Sequence, residues 1–229
     1  MRRDYHDSKC NDQDGSPVWL RAAFVAAALG VWFLTQSWIG KRASPPGAMV
    51  DSVHVWLSPL HGMFTHHPGA ADALLVTSSA GIDAAGIFLL GLAIFGSTLR
   101  PFIALILVFG LRQICQGLCA LPPPEGMIWR DPGFPTLLVT YGVSNDLFFS
   151  GHTSLAVLGA LELARLGKRW LVWAGVLLAL FEITTVLVLH AHYTMDVFAG
   201  AIAALWIHGI AVKVSPALDG ALARFGRQG

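Results

Sequence analysis

Charge is what this sequence has least of. Charged residues make up 13 % of its 229 residues, where an average soluble domain carries about 25 %. That shortage excludes an ordinary soluble enzyme and a disordered chain. The formal net charge is only +1, so there is no basic stripe for nucleic acid and no bulk steering toward a polyanion. Cysteine is scarce too. Three residues are too few, and an odd number, for a disulfide framework. No internal repeat is visible, and one domain suffices. What the chain has is apolar: 55 % hydrophobic residues, eight Trp and thirteen Phe, with a mean hydropathy of +0.60. Trp and Phe in such numbers suit a protein that meets a bilayer and its interfaces. The expectation is a small all-α polytopic membrane protein.

A bilayer core of roughly 30 Å needs about 20 apolar residues per helix. Six stretches meet that length: about Val18 to Ile39, Gly81 to Leu99, Pro101 to Leu121, Phe148 to Leu166, Trp170 to His190, and Thr194 to Val214. The first is not patterned as a cleavable signal, because its apolar run is long and a polar tail precedes it. The expected organisation is a tail over residues 1–17, a six-helix membrane domain over 18–214, and a second tail over 215–229. Within the domain, residues 43–80 are broken by Pro45, Pro46, Pro59 and Pro68, so Val50 to Phe64 reads as an interfacial or re-entrant helix.

Lys and Arg set the orientation. Six spans put both termini on one side. That side holds eleven basic residues: Arg2, Arg3, Lys9, Arg21, Arg100, Arg165, Lys168, Arg169, Lys213, Arg224 and Arg227. The other side holds three, Lys41, Arg42 and Arg130, and Arg112 lies within a span. The bias places both termini in the cytoplasm. The Ala-rich spans and short loops fit a bacterial inner membrane.

On that topology the chemically capable residues gather on the outer side. Arg112 lies about two turns below the exit of the third span. Asp146 and Ser150-Gly151-His152-Thr153 open the fourth. His190 closes the fifth, and His192-Tyr193-Thr194-Met195-Asp196 opens the sixth. His192 and Asp196 are four residues apart and so share one helix face, where a carboxylate can fix the imidazole tautomer. Gly151 lets a ligand approach the backbone closely. Free amides at the helix start suit an anion, and Arg112 supplies a planar, permanently charged fork. Two His, one Asp, one Arg and a helix N-terminus suit phosphoryl transfer, which asks mainly for positioning, charge stabilisation, a nucleophile and a proton donor.

These motifs resemble the sphingomyelin synthase family, within the type-2 phosphatidic acid phosphatase (PAP2) superfamily. Ser144 to Thr153 (SNDLFFSGHT) and His192 to Val197 (HYTMDV) carry the likeness. So does the third span, with Arg100-Pro101-Phe102, Arg112 and Leu121-Pro122. The resemblance implies a six-helix bundle with an extracytoplasmic site and metal-independent transfer through a phosphohistidine. His192 would be the nucleophile, Asp196 its orienting partner, and His152 the acid and then base. Arg112, Asp146, Ser150, Gly151 and Tyr193 would bind the phosphate. The implied partners are a glycerophospholipid donor, a lipid-alcohol acceptor such as ceramide or diacylglycerol, and the bilayer. No cofactor and no nucleic acid are implied, and a homo-oligomer is left open.

The chain departs from the family where Ser144-Asn145 replace Cys-Gly and where small Gly200 and Ala201 replace an aromatic. Against the phosphatase branch, Phe149 stands for the Pro of Pro-Ser-Gly-His, Thr185-Val186 for Ser-Arg, and Ala93 for a Lys. One Arg suits a monoanionic phosphodiester better than a dianionic monoester. Two alternatives stay open: a lipid phosphatase or phospholipase C-like hydrolase with water as acceptor, and a lipid or anion transporter, against which stands the lack of paired broken helices.

Blander roles are available to single residues. Arg112 can pair with Asp83 or Glu182 for packing, and intramembrane Asp83 and Glu182 can serve as interhelical hydrogen-bond partners. Asp146 can hold Arg112 or a His, or merely favour a helix start. His190-x-His192 and His66-His67 lack a third metal ligand at diagnostic spacing. Cys115 and Cys119 read as packing residues, and His54, His61 and His208 as interfacial or buried polar residues.

Overall fold

The computed structural model describes residues 17–41, 49–142 and 147–226. Its regular structure is all helical: α1 (Val18–Gly40), α2 (Ser52–His66), α3 (Pro68–Phe95), α4 (Arg100–Leu118), α5 (Gly151–Arg165), α6 (Arg169–Val188) and α7 (Thr194–Gly226). Five of these, α1, α3, α4, α6 and α7, are long and apolar enough to cross a bilayer. The chain is a polytopic membrane protein.

The expected fourth span is the exception to the count of six. α5 has 15 residues, about 22 Å at 1.5 Å per residue, short of a core of roughly 30 Å. Its neighbour α4 explains the shortfall. The two helices run antiparallel. Arg100, at the start of α4, grips Glu162 near the end of α5 through Nε–Oε1 at 2.9 Å and Nη2–Oε2 at 2.6 Å. Gly151, at the start of α5, lies against the Arg112 guanidinium. Arg112 precedes the end of α4 by six residues, or about 9 Å. The chain before α5 therefore descends into the bundle before the helix begins.

α2 falls where Val50 to Phe64 suggests a short helix. Asp51 caps it, accepting from the Val53 amide at 2.9 Å. Val55, Trp56, Leu60 and Met63 are exposed, while His54 and His61 face the protein. Two boundaries differ from expectation. α3 begins at Pro68, its favoured first position, well before Gly81. Residues 215–226, expected as a tail, continue α7 through Pro216. There Asp219 accepts from the Leu99 amide at 2.8 Å and so satisfies a free donor before α4.

α5 is the centre of the bundle and packs on α3, α4, α6 and α7. Leu155, Ala156 and Leu158 of α5 share one buried core with Ala204 and Ile207 of α7. α1 is peripheral, with only 11 % of its apolar window buried. Polar contacts pin both its ends. Arg21 donates to the carbonyls of Ala93 and Gly96, the free acceptors that end α3. Gln36 reaches Arg112 at the other end, through an Nη1–Oε1 contact of 3.3 Å.

Candidate active site

The turn between α6 and α7 carries His192, which lies just before α7 rather than on it. Its Nδ1 is 3.0 Å from the carbonyl oxygen of Leu147 and 3.5 Å from Asp196 Oδ2. A carbonyl can only accept, so Nδ1 carries the proton and Nε2 keeps its lone pair. Asp196 is fully buried. Its Oδ2 accepts from the Tyr193 amide at 3.0 Å, and its backbone carbonyl accepts from the Ser150 amide at 3.0 Å. The carboxylate thus ties the His192 turn to α7, while its carbonyl ties α7 to the start of α5.

That start is strained. Phe149 is buried with φ of 70°, a left-handed conformation that costs a bulky residue of order 1–3 kcal/mol. The strain presents its carbonyl to Arg112 Nε at 3.1 Å. Proline, locked near −65°, cannot take this conformation, so the Pro of the phosphatase pattern does not fit this backbone. Ser150 then caps α5, accepting from the Thr153 amide at 3.3 Å. Ser154 Oγ donates to the Ser150 and Gly200 carbonyls at 2.8 and 3.2 Å. A Cβ on Gly200 would sit 2.6 Å from the Ser150 carbonyl oxygen. The small residue in place of an aromatic is therefore what lets α7 close on α5.

His152 follows on the first turn of α5. Its ring stands edge-on to Trp129, with centroids 5.1 Å apart and planes at 87°. Its Nε2 is buried without a hydrogen-bond partner. Arg112, Gly151, His152, Leu147 and His192 line one cavity of ≈ 440 Å³, a volume typical of small-ligand sites. The cavity continues along α4 to Phe102 between walls from α1 and α3. By helix rise Phe102 lies about 15 Å below Arg112. The polar end and the long apolar barrel suit a headgroup phosphate above an acyl chain.

The structure thus brings together Arg112, Gly151, His152 and His192, with Asp196 behind His192. Two expected phosphate ligands do not line the cavity. Ser150 is buried and capping. Tyr193 is buried, and its hydroxyl accepts from the Met49 amide at 3.1 Å. Asp146 lies outside the described residues. Asp83 accepts from the Leu137 and Leu138 amides at 2.8 and 2.9 Å, and Glu182 accepts from Ser78 at 2.6 Å. Both carboxylates therefore hold their own helices and loops.

Sequence reasoning missed the tether from α2. Asp51 accepts from the Thr194 amide at 2.6 Å and from its hydroxyl at 2.9 Å, closing the start of α7. Those contacts and the Val53 amide outweigh burial and hold its carboxyl below the usual range. It also missed a stack of three imidazoles. His190, at φ of 53°, lies between His54 and His61 at centroid distances of 4.1 and 3.7 Å. Each ring has a backbone carbonyl partner: His192 for His54 at 3.0 Å, Val188 for His61 at 2.8 Å and Glu125 for His190 at 2.8 Å. Burial pushes His190 below the usual imidazole range; the Glu125 carbonyl opposes this, and the flanking His54 and His61 add to it. No group of three or more His, Cys, Asp or Glu able to hold a metal ion occurs among the described residues.

A family model described as AtPDCT1/2 matches residues 50–213. The span contains α2 to α6, most of α7 and each of the residues named for catalysis, and it leaves α1 outside. No curated protein and no solved structure matches the chain.

Proposed function

The chain belongs to the AtPDCT1/2 family of phosphatidylcholine:diacylglycerol cholinephosphotransferases, related to the PAP2 and sphingomyelin synthase-like superfamily, and from that premise we propose its substrates, site and mechanism. The family is one of membrane lipid headgroup transferases that move phosphocholine between phosphatidylcholine and diacylglycerol. In our reading this chain takes a phosphoryl headgroup from a glycerophospholipid, parks it on His192, and delivers it to diacylglycerol.

The observation that carries the reading is the polarity of His192. The Leu147 carbonyl holds its Nδ1 proton, so Nε2 is the nucleophilic atom, in the same cavity as Arg112 and His152. Nε2 attacks phosphorus, and the bond from phosphorus to the glycerol oxygen breaks. His152 gives its proton to the departing alkoxide, which leaves as diacylglycerol. Arg112 balances the charge on the phosphate oxygens. The acceptor hydroxyl then returns a proton to His152 as its oxygen attacks phosphorus, and the P–N bond breaks. Leaving group and acceptor belong to one chemical class, so one cavity serves both in turn. Water is disfavoured as acceptor because the site lies about 9 Å below the end of α4, above an apolar barrel. The basic-residue bias puts both termini in the cytoplasm and the site on the opposite face.

Vesicles holding phosphatidylcholine, phosphatidylethanolamine, phosphatidylinositol and phosphatidic acid test this. Isotope-labelled diacylglycerol is added, with a ceramide arm alongside, and lipids are followed by mass spectrometry. Labelled phospholipid should form with wild type and not with His192→Ala. A phosphosphingolipid in the ceramide arm would give the acceptor as sphingoid. Loss of phosphatidic acid to free phosphate with no new phospholipid would make the protein a phosphatase and end the proposal.

A further inference from the structure

The α1 side of the cavity holds a second polar cluster, and its hydrogen-bond directions are fixed by Arg112. A guanidinium only donates, so the Gln36 atom 3.3 Å from Arg112 Nη1 is the carbonyl oxygen. The same oxygen is 3.1 Å from Gln113, which must therefore present its amide nitrogen. The orientation of Gln113 follows without choice: its Oε1 is the atom left over. That oxygen is buried with no partner. Trp32 lies one turn before Gln36 on α1, with its ring edge-on to Phe109 at 5.8 Å. Its Nε1–H is likewise buried with no partner. Both residues line the reaction cavity.

Buried polar atoms are almost always satisfied, and here one orphan accepts and the other donates. An acceptor asks for a ligand with a proton to give. Phosphatidylcholine has none: its esters, phosphodiester and quaternary ammonium offer no N–H or O–H. A lipid alcohol has one hydroxyl, and a diacylglycerol carries an ester carbonyl beside it. Resting on the transferase reading, we propose that Gln113 and Trp32 form the subsite for the lipid alcohol: Gln113 Oε1 accepts from the free hydroxyl and Trp32 Nε1 donates to the neighbouring ester carbonyl. Gln113 is then a specificity-determining residue. It favours diacylglycerol, as acceptor or as departing product, over the phospholipid that shares its tails.

The test compares two probes in nanodiscs, each displacing a fluorescent diacylglycerol: diacylglycerol itself, and the 1,2-propanediol diester that lacks only the hydroxyl. Wild type should favour the alcohol about tenfold, the scale of one buried hydrogen bond. Gln113→Leu should cut that preference to under about threefold. Gln113→Asn, which keeps an amide but withdraws its oxygen, does the same if the Leu variant fails to fold. Trp32→Phe should keep the hydroxyl preference while weakening diacylglycerol and the propanediol diester alike, since both carry the ester carbonyl. An equal preference in wild type and the Gln113 variants would overturn the subsite. A third probe, phosphatidylethanolamine, separates a headgroup ammonium as donor: if it displaces the label in wild type but not in Gln113→Leu, while the alcohol is unaffected, Gln113 serves the headgroup and the proposal fails. Phosphoenzyme trapped from labelled phosphatidylcholine is measured in parallel on wild type. Its absence would count against the transferase reading, whatever the displacement shows.

Discussion

The carbonyl oxygen of Leu147 lies 3.0 Å from Nδ1 of His192, closer than the carboxylate of Asp196 at 3.5 Å. The backbone, not the acid, is the nearer group fixing the imidazole. Asp196 instead anchors the turn through the Tyr193 amide. This differs from a triad in which a carboxylate alone holds the tautomer, where replacing it by the amide costs about 10⁴-fold in kcat.

Asp196→Asn should therefore lower kcat only about 10- to 100-fold, as loss of an orienting partner does. The Asn oxygen can still accept from Tyr193, and Leu147 still fixes Nδ1. Headgroup transfer measured beside His192→Ala checks this. A loss as deep as that of His192→Ala would show that the carboxylate, not the carbonyl, controls the ring.

Gly200→Ala should destabilise the protein by about 1–3 kcal/mol. The new methyl meets the Ser150 carbonyl at 2.6 Å and Ser154 Oγ at 2.9 Å. It should also lower activity, because α5 must shift and His152 moves with it. Thermal unfolding in detergent together with turnover reads both effects, and an unchanged melting point would contradict the close approach of α5 and α7.

Phe149→Pro should abolish the Arg112 contact and reduce transfer by at least about tenfold, since the left-handed backbone at this position is closed to proline. Phosphoenzyme yield from labelled donor is the measurement. Full activity would mean that the φ of 70° is not required.

His190 gives an acid limit to stability. Its folded pKa lies below the ordinary value of 6.5, so below that pH the unfolded chain takes up a proton that the folded one refuses. Stability is then complete above about 6.5 and falls as pH drops toward the folded value. Melting temperatures between pH 5 and 8 should show this decline. His190→Asn, which tolerates a positive φ, should flatten it, and an equally steep decline in that variant would place the titration elsewhere.

The polar side chains that line the cavity were legible in the sequence, and the backbone that aims them was not. Arg112, His152 and His192 stand out because charged or hydrogen-bonding groups are rare in apolar spans, and all three line the cavity together with Gly151. The Leu147 carbonyl and the Phe149 strain belong to no residue type, so nothing in the letters marks them. Ser150 and Tyr193 lie within two residues of His152 and His192 in sequence, but their side chains are taken up by the Thr153 and Met49 amides. The contacts of Gln36 and Asp51 could not be read from the sequence because their partners lie 76 and 143 residues away. The stretch expected from Phe148 to Leu166 is longer than α5, Gly151–Arg165, because a hydropathy window reads composition and cannot see where the helix starts.

α1 has a consequence for how such proteins diversify. It touches little, is held at its two ends by Arg21 and Gln36, and lies outside the family-matched span, yet it walls the cavity. The α1 wall and the polar residues Arg112, His152 and His192 thus sit on separate stretches of chain. Substitutions along α1 between those two contacts can reshape the cavity wall without altering a residue of the matched span.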